Sequence, residues 1–255
     1  MNKCFHKLIG SDLERGFLSC RFLVCVLGTA LIVVIGAWDK FNITQEMRET
    51  GITAGYHFQL VLSALKSEAA AIAIPVLSTL PLSGVYLEEH RTRFEKLYLP
   101  RCSRLSYVIS KVLATALCGG AGILSGIILI TGLLALVFSP MELSSAGAAW
   151  ELFVQLLKTA FIAALLGMLW ASLGAFLGIV NLNFYMAYGG PFIVNYLLII
   201  LFSRYFSGIY TLNPKEWMLL QNYHSDNPAG LLFLLFELCI IVMLLEGIAI
   251  WKKIE

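Results

Sequence analysis

An all-α integral membrane protein is the fold class this chain predicts, on three observations. Apolar residues make up 59% of its 255 residues and charged residues only 13%, whereas soluble domains carry about a quarter charged residues. Mean hydropathy is strongly positive. Thr159 to Ser203 contains no charged residue, a run about twice what a helix rising ~1.5 Å per residue needs to cross ~30 Å of hydrocarbon. Such a surface must meet a lipid bilayer rather than water. A net charge of +2 gives no reason to expect a nucleic-acid partner.

The N-terminal stretch places Phe5, Leu8, Ile9, Leu13 and Phe17 at helical spacing, with Lys3, Lys7, Asp12 and Arg15 between them. That pattern predicts an amphipathic interfacial helix on the inner membrane face; the alternative is a frayed tail. Arg15 and Arg21 precede the first apolar run, but no small-residue cleavage site follows, so the run reads as a retained span. Six transmembrane helices are expected at about 17–38, 68–87, 107–138, 151–180, 186–204 and 228–250, in one transmembrane domain, 1–255. The long charge-free run is divided between Asn181 and Pro191, because Asn and the pair Gly189-Gly190 followed by Pro close one helix and open the next.

Six spans put both termini on one side. With the N-terminus inside, twelve of the 18 Lys and Arg fall inside, concentrated between spans 2 and 3. The positive-inside rule then predicts a multi-pass protein of the cytoplasmic membrane with both termini cytoplasmic. The six cysteines show neither CxxC nor metal-ligand spacing and are expected as free thiols.

Small residues mark expected helix contacts. Ala163, Gly167, Ala171, Gly174 and Gly178 form a stripe on span 4, and Gly119, Gly120, Gly122 and Gly126 line span 3. Such faces let backbones approach closely, within one chain or between two copies.

The segment from Tyr86 to Lys111 holds the densest charge. It predicts a short helix over about 87–98, stopped before Pro100, and a restart near Ser103 as N-cap. Phe94, Leu97 and Tyr98 share one face of it. A rigid helix with an aromatic knob in an inside loop suits docking to a cytosolic partner; the other reading is a solvated positive-inside loop.

Here the chain resembles the permease subunits of ABC-type-2 exporters. The resembling features follow span 2: the acidic pair Glu88 and Glu89, the stretch Phe94 to Leu99, Pro100, Ser103 with Arg104, then Tyr107 and Lys111 opening span 3. Pro75, Pro81 and Gly119-Gly120 are also similar to a bacterial branch. Arg91 before Thr92 departs from the glycine often found there. The resemblance implies an ATP-driven exporter moving a substrate outward, with a coupling helix that uses Glu88, Glu89, Arg91, Arg93, Phe94, Leu97, Tyr98, Pro100 and Arg104. It implies a separate ABC ATPase chain that binds ATP and Mg, and a second permease subunit, identical or a sister. This chain lacks a GxxxxGK[ST] phosphate cradle and should bind no cofactor itself; it is read as a transporter subunit, not an enzyme.

Two other classes match parts of the chain. Glu88-Glu89-His-Arg-Thr-Arg93 matches the EExxxR of CAAX-type intramembrane metalloproteases, but neither FxxxH nor HxxxN/D accompanies it, and a metal needs several ligands. An ion- or proton-coupled carrier would use Glu237, near the middle of span 6. Glu246 lies nine residues on, at about 100° per residue on the opposite face. Glu237 is read as a hydrogen-bonded structural group, a polar lining of an export path or a proton relay. In the last outside loop, Asn213 as N-cap and Pro214 at the first position open a short amphipathic helix with Trp217. The resemblance makes it an outer gate; otherwise Trp217 is an aromatic belt anchor.

Overall fold

The computed structural model of the chain describes residues 2–40, 53–94, 102–142, 146–206, 212–219 and 228–254, and among these every regular element is helical. Four helices are long and apolar enough to cross a membrane, and two bent pairs raise the number to as many as six. The chain has the build of a multi-pass α-helical membrane protein.

Helix α1, Asn2–Phe17, meets α2, Cys20–Gly36, at a bend of 54°. The bend falls at Leu18-Ser19, where the Ser19 hydroxyl accepts the Phe22 N–H at 3.1 Å and caps α2. On α2, Cys25, Val26, Ala30 and Val33 are buried, while Leu23, Leu27, Leu31 and Ile35 form an exposed stripe suited to lipid. Helix α1 packs one face onto the bundle. Leu8 and Asp12 are buried, Leu13 packs on Leu82, Val85, Ala114 and Cys118, and a Cβ on Gly16 would sit 2.5 Å from the Cys118 sulfur. Asp12 lies on this buried face because it finds a cation there, while Lys7, Glu14 and Arg15 stay exposed.

The second span is the clearest departure. Instead of one helix over 68–87, the chain forms α3, Tyr56–Leu65, and α4, Glu68–Leu77, bent by 71°, then turns through 78–84 into α5, Val85–Arg91. Ser67 caps α4 by accepting from Ala70 N, and Pro81 and Gly84 stand in the turn region. This buried non-helical stretch is stabilised by its own hydroxyls. Ser83 donates to the Ala171 carbonyl at 2.9 Å and Thr79 to Val76 at 2.7 Å.

The remaining long helices match expectation closely: α6, Arg104–Phe138; α7, Ala146–Asn181; α8, Phe184–Arg204; and, after the short α9, Pro214–Leu219, the last helix α10, Pro228–Ile254. The break between α7 and α8 is narrower than predicted. Leu182 adopts a left-handed φ of 49°, Asn183 N–H bonds back to Gly178, and the Asn183 side chain caps Tyr185. Gly189, Gly190 and Pro191 therefore lie inside α8 rather than at its start. The glycine stripes pack within the chain. A Cβ on Gly167 would meet the Gly119 carbonyl at 3.0 Å, and one on Gly178 would meet the Ala187 Cβ at 2.7 Å.

At the end of the bundle away from α1, Glu142 accepts the backbone N–H groups of Gly55 and His57 at 2.8 and 3.2 Å and pairs with His57 Nδ1 at 2.6 Å. Burial acts against the charge, but these hydrogen bonds together outweigh it and hold the Glu142 carboxyl below its usual range. Asn213 caps α9 at the same end, accepting from Lys215 N, and the Lys215 ammonium pairs with Glu68. Trp217 is not an interfacial belt anchor. It is 3% exposed, and its ring lies 6.4 Å from that of Trp170, tilted by 34°, inside the core.

Cys20, Cys25, Cys118 and Cys239 are free, as expected. Cys102 departs from that reading and is disulfide-bonded; spacing along the chain does not reveal pairs that folding brings together.

Candidate functional site

The densest constellation of charge sits where α1, α2, α5 and α6 meet. Glu89 on α5 is 3% exposed. It accepts from Tyr107 Oη at 2.7 Å and from the Lys111 ammonium at 2.6 Å, both on α6. Lys111 also donates to Asp12 of α1 at 2.7 Å, and the other Asp12 oxygen accepts from Ser110 at 2.8 Å. Arg15 spans the acidic pair, one guanidinium nitrogen 3.1 Å from Glu89 and another 3.1 Å from Glu88. Arg21 on α2 completes the cluster, 2.6 Å from Glu88 and 3.3 Å from the Tyr188 hydroxyl of α8.

Three carboxylates, Asp12, Glu88 and Glu89, thus meet three cations, Arg15, Arg21 and Lys111. The balance matters because an unpaired buried charge costs several kcal/mol, on the order of 3–5 when one partner is removed. The exposed half of the network, around Glu88, Arg15 and Arg21, is worth less than the buried half. The cluster roots a seven-residue helix in three neighbours. The fold uses Glu88 and Glu89 internally, paired with Arg15, Arg21 and Lys111.

The expected helix over 87–98 is shorter. It ends at Arg91, with Arg93 left-handed at φ 55° and Phe94 N–H bonded to the Glu89 carbonyl at 2.9 Å. Together with Arg93 N–H to His90, this is a Schellman cap. Thr92 Oγ1 donates back to the Glu88 carbonyl at 2.9 Å. The helix therefore stops well before Pro100. Arg91 lies 5.6 Å over the Phe184 ring, Arg93 and Phe94 are exposed, and Arg104 is exposed at the start of α6 beyond its Ser103 cap. Leu97, Tyr98 and Pro100 lie outside the described residues, so the shared apolar face with Phe94 does too.

Of the two span-6 carboxylates, Glu237 is exposed on the outer face of α10, and Glu246 is 1% exposed. Opposite faces were expected; the inward role falls to Glu246. Its Oε2 has no protein hydrogen-bond partner. It lines a cavity of about 10 Å³ with Asp12, Lys111 and Thr115, enough for about one water. Asn213, Pro214 and Trp217 are gathered at the opposite end of the bundle and share no contact with the cluster.

Sequence reasoning missed Asp12, Arg15 and Arg21 as members of the site. The available signal was an acid on an N-terminal helix rich in bases, but its partner, Lys111, is 99 residues away. No family model, curated protein or solved structure matches the chain.

Proposed function

We propose that this chain is the membrane-spanning permease subunit of an ATP-driven ABC exporter, working with a separate ATPase chain and a second permease subunit. The observation that carries the reading is the balanced ionic cluster holding α5 to α1, α2 and α6 at the foot of a broken second span. A force on the segment after Arg91 passes through Glu88 and Glu89 into three membrane helices, which is what a coupling element must do. ATP and Mg are assigned to the partner, since the chain has no phosphate-cradling motif. The exposed Phe94 is the contact we assign to the ATPase, with Arg93 and Arg104 beside it as rim charges.

The test is recovery of the tagged chain from its host in mild detergent. A P-loop ATPase should co-purify stoichiometrically, and Phe94→Ala should weaken that recovery more than Arg93→Ala, since buried aromatic anchors often contribute ~2 kcal/mol or more. Transport by the chain with no ATPase bound would sink the reading and favour an ion-coupled carrier, for which the buried Glu246 is the better-placed carboxylate.

The α1 end is assigned to the cytoplasm from its excess of Lys and Arg. The disulfide at Cys102 favours the reverse, because cytosolic disulfides are rare. Thr92→Cys in an otherwise cysteine-free chain should resist an impermeant thiol reagent in intact cells and react after permeabilisation. Labelling in intact cells would invert the topology.

A further inference from the structure

A groove of about 530 Å³ runs between the first half of α6 and the last half of α10, on a face separate from the ionic cluster. Its walls are apolar throughout, Leu105, Val108 and Val112 on one side and Leu244 and Ile248 on the other. Gly247 forms the floor where the two helices touch; a Cβ there would lie 3.5 Å from Val108.

We propose that this groove binds one anionic phospholipid, its acyl chain between α6 and α10 and its phosphate at Arg104 and Lys252. Three observations select that occupant. The first is depth. The lining runs from Leu105 to Leu113 and from Ile240 to Trp251, about 12 and about 17 Å of helix. That is close to half of the ~30 Å hydrocarbon core, the depth of one leaflet. A helix of a second copy would cross the whole bilayer and need a groove of full length. The second is charge. Arg104 stands four residues before Val108 and Lys252 four after Ile248, so each shares its wall's face, and the two directly adjoin Leu105 and Trp251 at the mouth. Both are exposed, and Lys253 follows Lys252. Basic groups between helices at the membrane surface are the chemistry that holds a lipid phosphate. The third is the rim: Trp251 lines the mouth, where an indole favours the headgroup level.

Native mass spectrometry of the purified chain, titrated with phosphatidylglycerol or phosphatidylcholine, tests this. The wild type should retain one phosphatidylglycerol per chain in preference to phosphatidylcholine. The pair Arg104→Ala with Lys252→Ala should weaken phosphatidylglycerol retention by about tenfold or more and leave phosphatidylcholine unchanged. Gly247→Phe, which fills the floor, should reduce both. If Gly247→Phe does not fold, the charge pair decides alone, because both its positions are exposed. Equal retention of the two lipids, or unchanged phosphatidylglycerol retention in the charge pair, overturns the proposal. So does high-yield oxidative cross-linking of Leu244→Cys between two copies, which would make the groove a subunit interface.

Discussion

Lys111→Met should destabilise the protein by about 3–5 kcal/mol, enough to lower its yield from membranes and its thermal unfolding midpoint in detergent. The Lys111 side chain is 8% exposed, and its ammonium donates to both Asp12 and Glu89. Without it those two carboxylates stay buried, at 11% and 4% side-chain exposure, with Ser110, Tyr107 and the exposed Arg15 as remaining donors. The destabilisation arises from the uncompensated charges rather than from lost packing, since Met fills much of the lysine stem. The triple variant Lys111→Met, Asp12→Asn, Glu89→Gln should therefore recover most of the loss, because replacing a whole buried ionic group is often near neutral. A Lys111→Met protein as stable as wild type, or a triple variant no better than the single, would remove the cluster from the account of the fold.

This cluster also shows where reading the chain stops. Spans 3 to 6 were legible because each is an apolar run about as long as a bilayer crossing or longer. The break after Asn181 was legible in kind but not in extent. Glycine and proline mark where a helix can end, and the end was decided by Leu182 in a left-handed conformation and the Asn183 cap. The second span was misread because hydropathy counts transfer from water, not helix continuity. Ser78, Thr79 and Ser83 are apolar enough in context to sit in a span, yet their hydroxyls serve a buried turn. Of the site, Glu88 and Glu89 were visible in the chain, whereas the contact that buries Asp12 depends on α1 folding back against α6. Lys111, one basic residue among many, could be counted for orientation but not paired.

Gly119→Val should be the most damaging small-to-large change in the interhelix seams. A Cβ at 119 would overlap the Ala171 Cβ and lie 3.0 Å from the backbone carbonyls of both Gly167 and Ser78. Two of those three neighbours are main chain and cannot rotate away, so α6 and α7 must separate. We expect a loss of about 3 kcal/mol, the upper part of the overpacking range. Gly132→Ala on the same helix is the control. Nothing lies within 4 Å of its added methyl, and alanine is the better helix former by about 1 kcal/mol. That variant should match or exceed the wild-type unfolding midpoint. Equal behaviour of the two variants would mean that helix propensity, not the α6–α7 approach, sets the response.

The short helices of the broken second span bear on how the chain is made. Helices α3 and α4 are ten residues each, about 15 Å apiece, and neither alone can cross the hydrocarbon. Leu60, Val61 and Ala64 of α3 share a buried core with Ile162, Ala163 and Leu166 of α7, and Asn195 of α8 donates to the Ala71 carbonyl of α4 at 3.2 Å. Those contacts belong to residues that leave the ribosome about a hundred positions later. The segment between α2 and α6 therefore has part of its packing partners only once α7 and α8 have been made. Their own apolar length brings α3 and α4 to the membrane as a bent pair, and the contacts with α7 and α8 complete their seating.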